Sequence, residues 1–199
     1  MYKKLHYFSG IILSVFITLH LINHLGSIWG PEVHIKWMNY LRPLYRNFLV
    51  ETLLLSCVGA QIFSGINLVA KRKKLKLDLY QKIQNCSGLY LSFFLVVHLS
   101  AIMVGRYILK VDTNFYFGVA GINGFPYLLF FVPYYAFAIL SVFSHLAVVH
   151  KVRTPLKLLS PEAQFYCIIA IGALITLIIF YGLTGGYKGV IVPEEYSIL

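Results

Sequence analysis

The chain has 199 residues, 59% of them hydrophobic and only 12% charged, about half the charge of an average soluble domain. A mean hydropathy of +0.75 exceeds what a water-soluble core can absorb, so composition points to lipid as the solvent. The net charge of +10 does not indicate nucleic acid: the basic residues sit in short segments between long apolar runs, where such clusters set topology and meet anionic headgroups.

Crossing the hydrocarbon takes about 20 apolar residues in a helix. Five stretches qualify, at about 7–29, 48–70, 86–108, 126–150 and 164–184. The predicted fold is therefore an all-α integral membrane protein, a single membrane domain over 1–199 with five transmembrane helices. The first stretch follows Lys3 and Lys4 but is too long, and too rich in histidine, for a signal peptide. Cys57, Cys86 and Cys167 form no CxxC and read as small apolar fillers. Lys3, Lys4, the 71–82 loop KRKKLKLDLYQK and the 151–157 segment share one side and hold 11 of the 17 Lys and Arg. The positive-inside rule makes that side cytoplasmic, with the N-terminus inside and the C-terminal tail PEEYSIL outside. All seven acidic residues lie in loops or at helix ends, which removes the usual mid-membrane carboxylate of an ion-driven transporter.

Spans one and three contain an internal repeat. Residues 4–21 read KLHYFSGIILSVFITLHL and residues 82–99 read KIQNCSGLYLSFFLVVHL, identical at eight of 18 positions, including Ser9/Ser87, Gly10/Gly88, Phe16/Phe94 and His20/His98. His20 and His98 each lie 16 residues beyond an inner lysine, about 24 Å along a helix. Both helices run outward, so the two imidazoles are predicted at one depth, just beyond the midplane. Two neutral imidazoles facing across a bundle can ligate one metal centre axially, and a b-type haem is the natural candidate. The alternative is that they act as interhelical hydrogen-bonding glue.

The other histidines divide by depth. His24 is one turn beyond His20, near the outer surface, where it can meet a haem propionate, a quinone or a loop. His6 is at the inner end of span one and His34 in the outer loop. His150 borders Lys151 at the interface. His145 is about 7–8 Å from the inner end of span four and about 10 Å shallower than the His20/His98 level. One iron cannot serve both levels. A second haem at the His145 level needs a partner from span two, where Gln61 is the one strongly polar residue in the middle apart from small Ser64, and glutamine is a poor haem ligand.

On these residues the chain resembles the single-chain, five-helix cytochrome b anchors of succinate dehydrogenase and fumarate reductase. The resemblance rests on KKLHYFSG and LHLINH in span one, QIFSGINLVA in span two, QNCSGLYLSFFLVVHL in span three and VFSHLAVVH in span four. It implies a haem-binding four-helix core plus a fifth helix. It also implies haem b held by His20 and His98, and in the di-haem form a second haem at the positions of Gln61 and His145. Gln61 stands where that form has histidine. The implied partners are a flavoprotein and an iron–sulfur subunit at the cytoplasmic face, quinone and the lipid of the plasma membrane. With the outer haem alone, about 18 Å of membrane separates it from the inner surface, so quinone near the inner helix ends would take electrons directly, with Ser9, Ser87, His6 and Arg72 as contacts. Two other functions stay open: a haemless scaffold that only assembles partners, and a stand-alone membrane cytochrome.

Overall fold

The computed structural model describes residues 1–153 and 159–196. Lys157 of the basic 151–157 segment and the final Ser197–Leu199 of the tail lie outside the described residues. No strand occurs among the described residues. The long helices are α1 (Tyr2–Leu25), α2 (Pro31–Tyr45), α3 (Phe48–Arg72), α4 (Leu79–Met103), α6 (Leu128–Arg153) and α7 (Pro161–Leu183), with a short α5 (Phe115–Val119). Five of them, α1, α3, α4, α6 and α7, are long and apolar enough to cross a membrane. The chain is a multi-pass membrane protein.

The helix starts have local causes. Asp78 and Gln81 form a capping box that begins α4 at Leu79, so this helix extends about two turns before the apolar stretch. Asn47 caps α3 through the Leu49 N–H, and Ser160 caps α7 through the Ala163 N–H. Helix α1 begins at Tyr2, five residues earlier than apolarity predicts, and this places His6 inside the helix. The outer loop of the sequence reading contains α2, started by Pro31 after Gly30, whose φ of +103° suits a residue without Cβ.

The spanning helices close into a ring. α1 packs beside α3, α3 beside α4, α4 beside α6, α6 beside α7 and α7 beside α1. The two non-neighbours of α1 are therefore α4 and α6, and these face it across the interior. Between the ends of the ring lies an apolar cluster of Leu13, Cys57 and Val58, joined by Ile17, Leu54, Leu95 and Leu99. Cys86 and Cys167, read as fillers, are exposed on the helix surface; only Cys57 is buried.

The lysine- and arginine-rich ends meet on one side, called the basic face below. There Lys71 lies over the Tyr2 ring, Lys151 over Tyr80 and Arg153 over Tyr7. Lys151 also pairs with Glu162, joining α6 to α7. The opposite face is closed by α2, α5 and the C-terminal segment. Arg42 pairs with Asp112 at 2.5 Å, Arg46 donates to Thr113 at 2.7 Å and Glu51 pairs with Arg106. Asn123 binds the Leu183 carbonyl and the Val190 N–H, at 3.0 Å each, and so holds the tail against α7.

Candidate functional site

His20 on α1 and His98 on α4 face each other across the ring, with centroids 6.3 Å apart and planes at 66°. The internal repeat gives both the same support. Phe16 stacks on His20 at 5.7 Å and 17°, and Phe94 stacks on His98 at 5.0 Å and 13°. Each phenylalanine is four residues before its histidine, one turn away on the same face. The matched positions of the repeat thus make two equivalent imidazole mounts.

His20 continues into a row of polar side chains toward the opposite face. Its Nε2 is 3.2 Å from His24 Nε2, His24 Nδ1 is 3.4 Å from His34 Nε2, and Asn23 Nδ2 is 3.2 Å from that same His34 nitrogen. His34, which the sequence left without a role, is 3% exposed and packs on Phe115. Its burial, then the neighbouring His20, hold its pKa down to about 4. Two atoms of this row have no protein partner, Asn23 Oδ1 and His34 Nδ1.

A second facing pair lies toward the basic face. His6 on α1 and His145 on α6 have centroids 6.2 Å apart and planes at 62°. His6 Nδ1 is 3.0 Å from Ser64 Oγ on α3, and His145 Nδ1 is 3.2 Å from Ser87 Oγ on α4. A glycine follows each serine. A Cβ built on Gly65 would lie 3.4 Å from His6 Cε1, and one on Gly88 would lie 3.4 Å from His145 Cε1, so the rings rest on bare backbone.

The remaining candidates resolve as follows. Gln61 does not turn to His145; its Nε2 donates to the His6 carbonyl at 2.7 Å, over Gly10, where a Cβ would come within 2.6 Å of it. Ser9 donates back to the Leu5 carbonyl at 2.7 Å and meets no histidine. Arg72 donates to Gln84 and Asn85 at 3.0 and 3.2 Å. His150, near the basic end of α6, binds Gln164 at 2.7 Å. What the sequence reading missed is the relation of His6 to Ser64. Two signals pointed to it: a third Ser–Gly pair at 64–65, and the 14-residue spacing of His6 and His20, nearly four helical turns and so one face of α1.

Among the described residues, no group of three or more His, Cys, Asp or Glu side chains is placed to share a metal ion. A haem iron needs only two protein ligands, since the macrocycle supplies the rest. Imidazole nitrogens bind a metal such as zinc at about 2.0–2.1 Å. Two on opposite sides of one ion put their ring centroids about 6 Å apart once half of each ring is added. The separation of His20 and His98 fits this. Binding there would displace His24 from His20 Nε2. No protein-family model, no curated protein and no solved structure matches the chain.

Proposed function

We propose that the chain is a haem b-binding membrane cytochrome, the anchor and electron-transfer subunit of a succinate dehydrogenase/fumarate reductase-like complex. The observation that carries this reading is the His20–His98 pair, facing at 6.3 Å across the ring with each imidazole backed by its own phenylalanine. Haem b supplies reversible one-electron chemistry when bound. The chain's residues do the rest. His20 and His98 hold the iron, and Phe16 and Phe94 fix the ring planes. The Leu13, Ile17, Leu95 and Leu99 cluster keeps water from the interior. His24, released from His20, becomes a donor for a propionate or a quinone oxygen at the opposite face.

Quinone enters this reading from the lipid. An open groove of about 520 Å³ runs between α4 and α6, lined by Ser87, Tyr90, Phe137, Ser141 and Ser144. Hydroxyls on an otherwise apolar surface suit a quinone headgroup, and Ser87 connects the groove to His145. The basic face, taken as cytoplasmic in the plasma membrane, offers its lysines and arginines to flavoprotein and iron–sulfur subunits.

A second reading has its own observation. The hydrogen bonds of His24 to His20 within α1 and to His34 on α2 are what polar glue within and between helices looks like, and they favour a haemless scaffold that only assembles partners. The reduced-minus-oxidised spectrum of the purified chain separates the two. A b-type spectrum lost in His20→Ala and His98→Ala supports the cytochrome; no haem at all leaves the scaffold.

A further inference from the structure

We infer that His6 and His145 form a second axial pair near the basic face, so that the chain binds two haems, with Gln61 outside the ligand set. This rests on the cytochrome reading and deepens it. The spacing that supports the His20–His98 pair recurs at the second level: 6.2 against 6.3 Å between centroids, and 62° against 66° between planes. Among the described residues, no other facing pair of histidines on different helices in the ring interior has this geometry.

The serines bear on proton placement at the second pair. Ser64 Oγ donates to the Ala60 carbonyl at 2.5 Å, and Ser87 Oγ to the Gln84 carbonyl at 3.2 Å. Each hydroxyl has one proton, which is thereby used. With its proton on the backbone carbonyl, each serine can accept from the Nδ1–H of its histidine, and that tautomer leaves Nε2 of both rings as an unprotonated lone pair. An Nδ1–H anchored to a fixed acceptor is the arrangement that orients an imidazole for metal binding and makes it more basic. Histidines serving as glue would spend the second nitrogen on another helix. Here no hydrogen bond joins the two rings, although they face each other.

The surroundings fit a flat, doubly anionic macrocycle. Gly65 and Gly88 leave the rings without a Cβ beside them. Arg72, held by Gln84 and Asn85, is one turn from Ser87 along α4 through Gln84 and has no carboxylate partner among the described residues, so its charge is available to carboxylates at that mouth. His6 and His20 share one face of α1 at a rise of about 21 Å, with Leu13 seven residues from each. The two levels therefore lie one beyond the other along α1, the second at the inner end of that helix.

The test is haem stoichiometry of the full-length protein, expressed with haem precursor and purified in detergent, by pyridine haemochrome and by counting low-spin ferric signals in electron paramagnetic resonance. Two haems per chain are expected in the wild type. His6→Ala, His145→Ala and their double variant should each retain one, and its preserved signal reports that the bundle is folded. Gln61→Leu should keep two. A wild type with one haem, lost only in His20→Ala and His98→Ala, overturns the second pair and leaves the proposed function standing. Loss of a haem in Gln61→Leu with retention in His6→Ala overturns the ligand assignment. No haem in the wild type overturns both the inference and the function beneath it.

Discussion

Ser9→Ala and Ser87→Ala remove the same hydroxyl from matched positions of one repeat, yet the tertiary structure gives them different consequences. Ser87 Oγ lies 3.2 Å from His145 Nδ1 on another helix; Ser9 Oγ donates to the Leu5 carbonyl of its own helix. Without Ser87, the imidazole of His145 loses the bond that fixes its tautomer and plane. Loss of such a partner costs a metal-ligating histidine about 10–100-fold in affinity, or about 1.4–2.7 kcal/mol. Ser9→Ala removes a side chain-to-backbone bond inside a helix that keeps its main-chain bonds, and the expected change is within about 0.5 kcal/mol. The assay is the rate of haem transfer from each purified variant to an excess of apomyoglobin, followed in the visible spectrum. One of the two kinetic phases should accelerate by one to two orders of magnitude in Ser87→Ala and neither in Ser9→Ala. Equal behaviour of the two variants would refute the assignment of Ser87 as the support of His145.

Three further outcomes are expected. A Cβ on Gly182 would sit 2.1 Å from Ser27 Oγ and 2.7–2.8 Å from the backbone of Ser27 and Ile28, so Gly182→Ala should cost at least about 1–3 kcal/mol. Gly59→Ala, with nothing within 4 Å of the new methyl, should be neutral or stabilising by up to about 1 kcal/mol; thermal unfolding in detergent compares them. Because the pKa of His34 is held at about 4 in the folded state and an unburied histidine titrates near about 6.5, its native contacts are fully favourable above about pH 6.5. They weaken as pH falls toward about 4, by about 2 kcal/mol at pH 5, and the protection of α2 amides against exchange, relative to the intrinsic rate at each pH, should fall on acidification in the wild type but not in His34→Asn. Glu51 and Arg106 are about four-fifths buried, so removing either alone should cost more than removing both, since the single variant strands one charge. A double-mutant cycle on detergent stability reads the difference.

Much of this architecture was legible in the chain itself. Five apolar stretches with basic ends dictate five spanning helices, because no other structure satisfies the backbone in hydrocarbon. The repeat set His20 and His98 at one depth, because helical rise is fixed. Apolarity could not find the true start of α1: Lys3, Lys4 and His6 are polar yet helical, since a helix continues through the interface after the hydrophobic stretch ends. That left His6 outside its own span. It also made α2 read as loop, for its polar and apolar residues alternate around a surface helix instead of forming a run.

The sequence by itself determined the five spanning segments and the place of each histidine along its own helix, since these depend on composition and on rise per residue. Which imidazoles meet was decided only by the closing of the ring. Putting α4 and α6 opposite α1 brings His98 to His20 and His145 to His6. Putting α3 beside α1 turns Ser64 to the His6 ring and Gln61 to its carbonyl. Helix periodicity fixes where a side chain lies along and around its own axis. It carries no information on which neighbour that face will find, and partner choice is a property of packing.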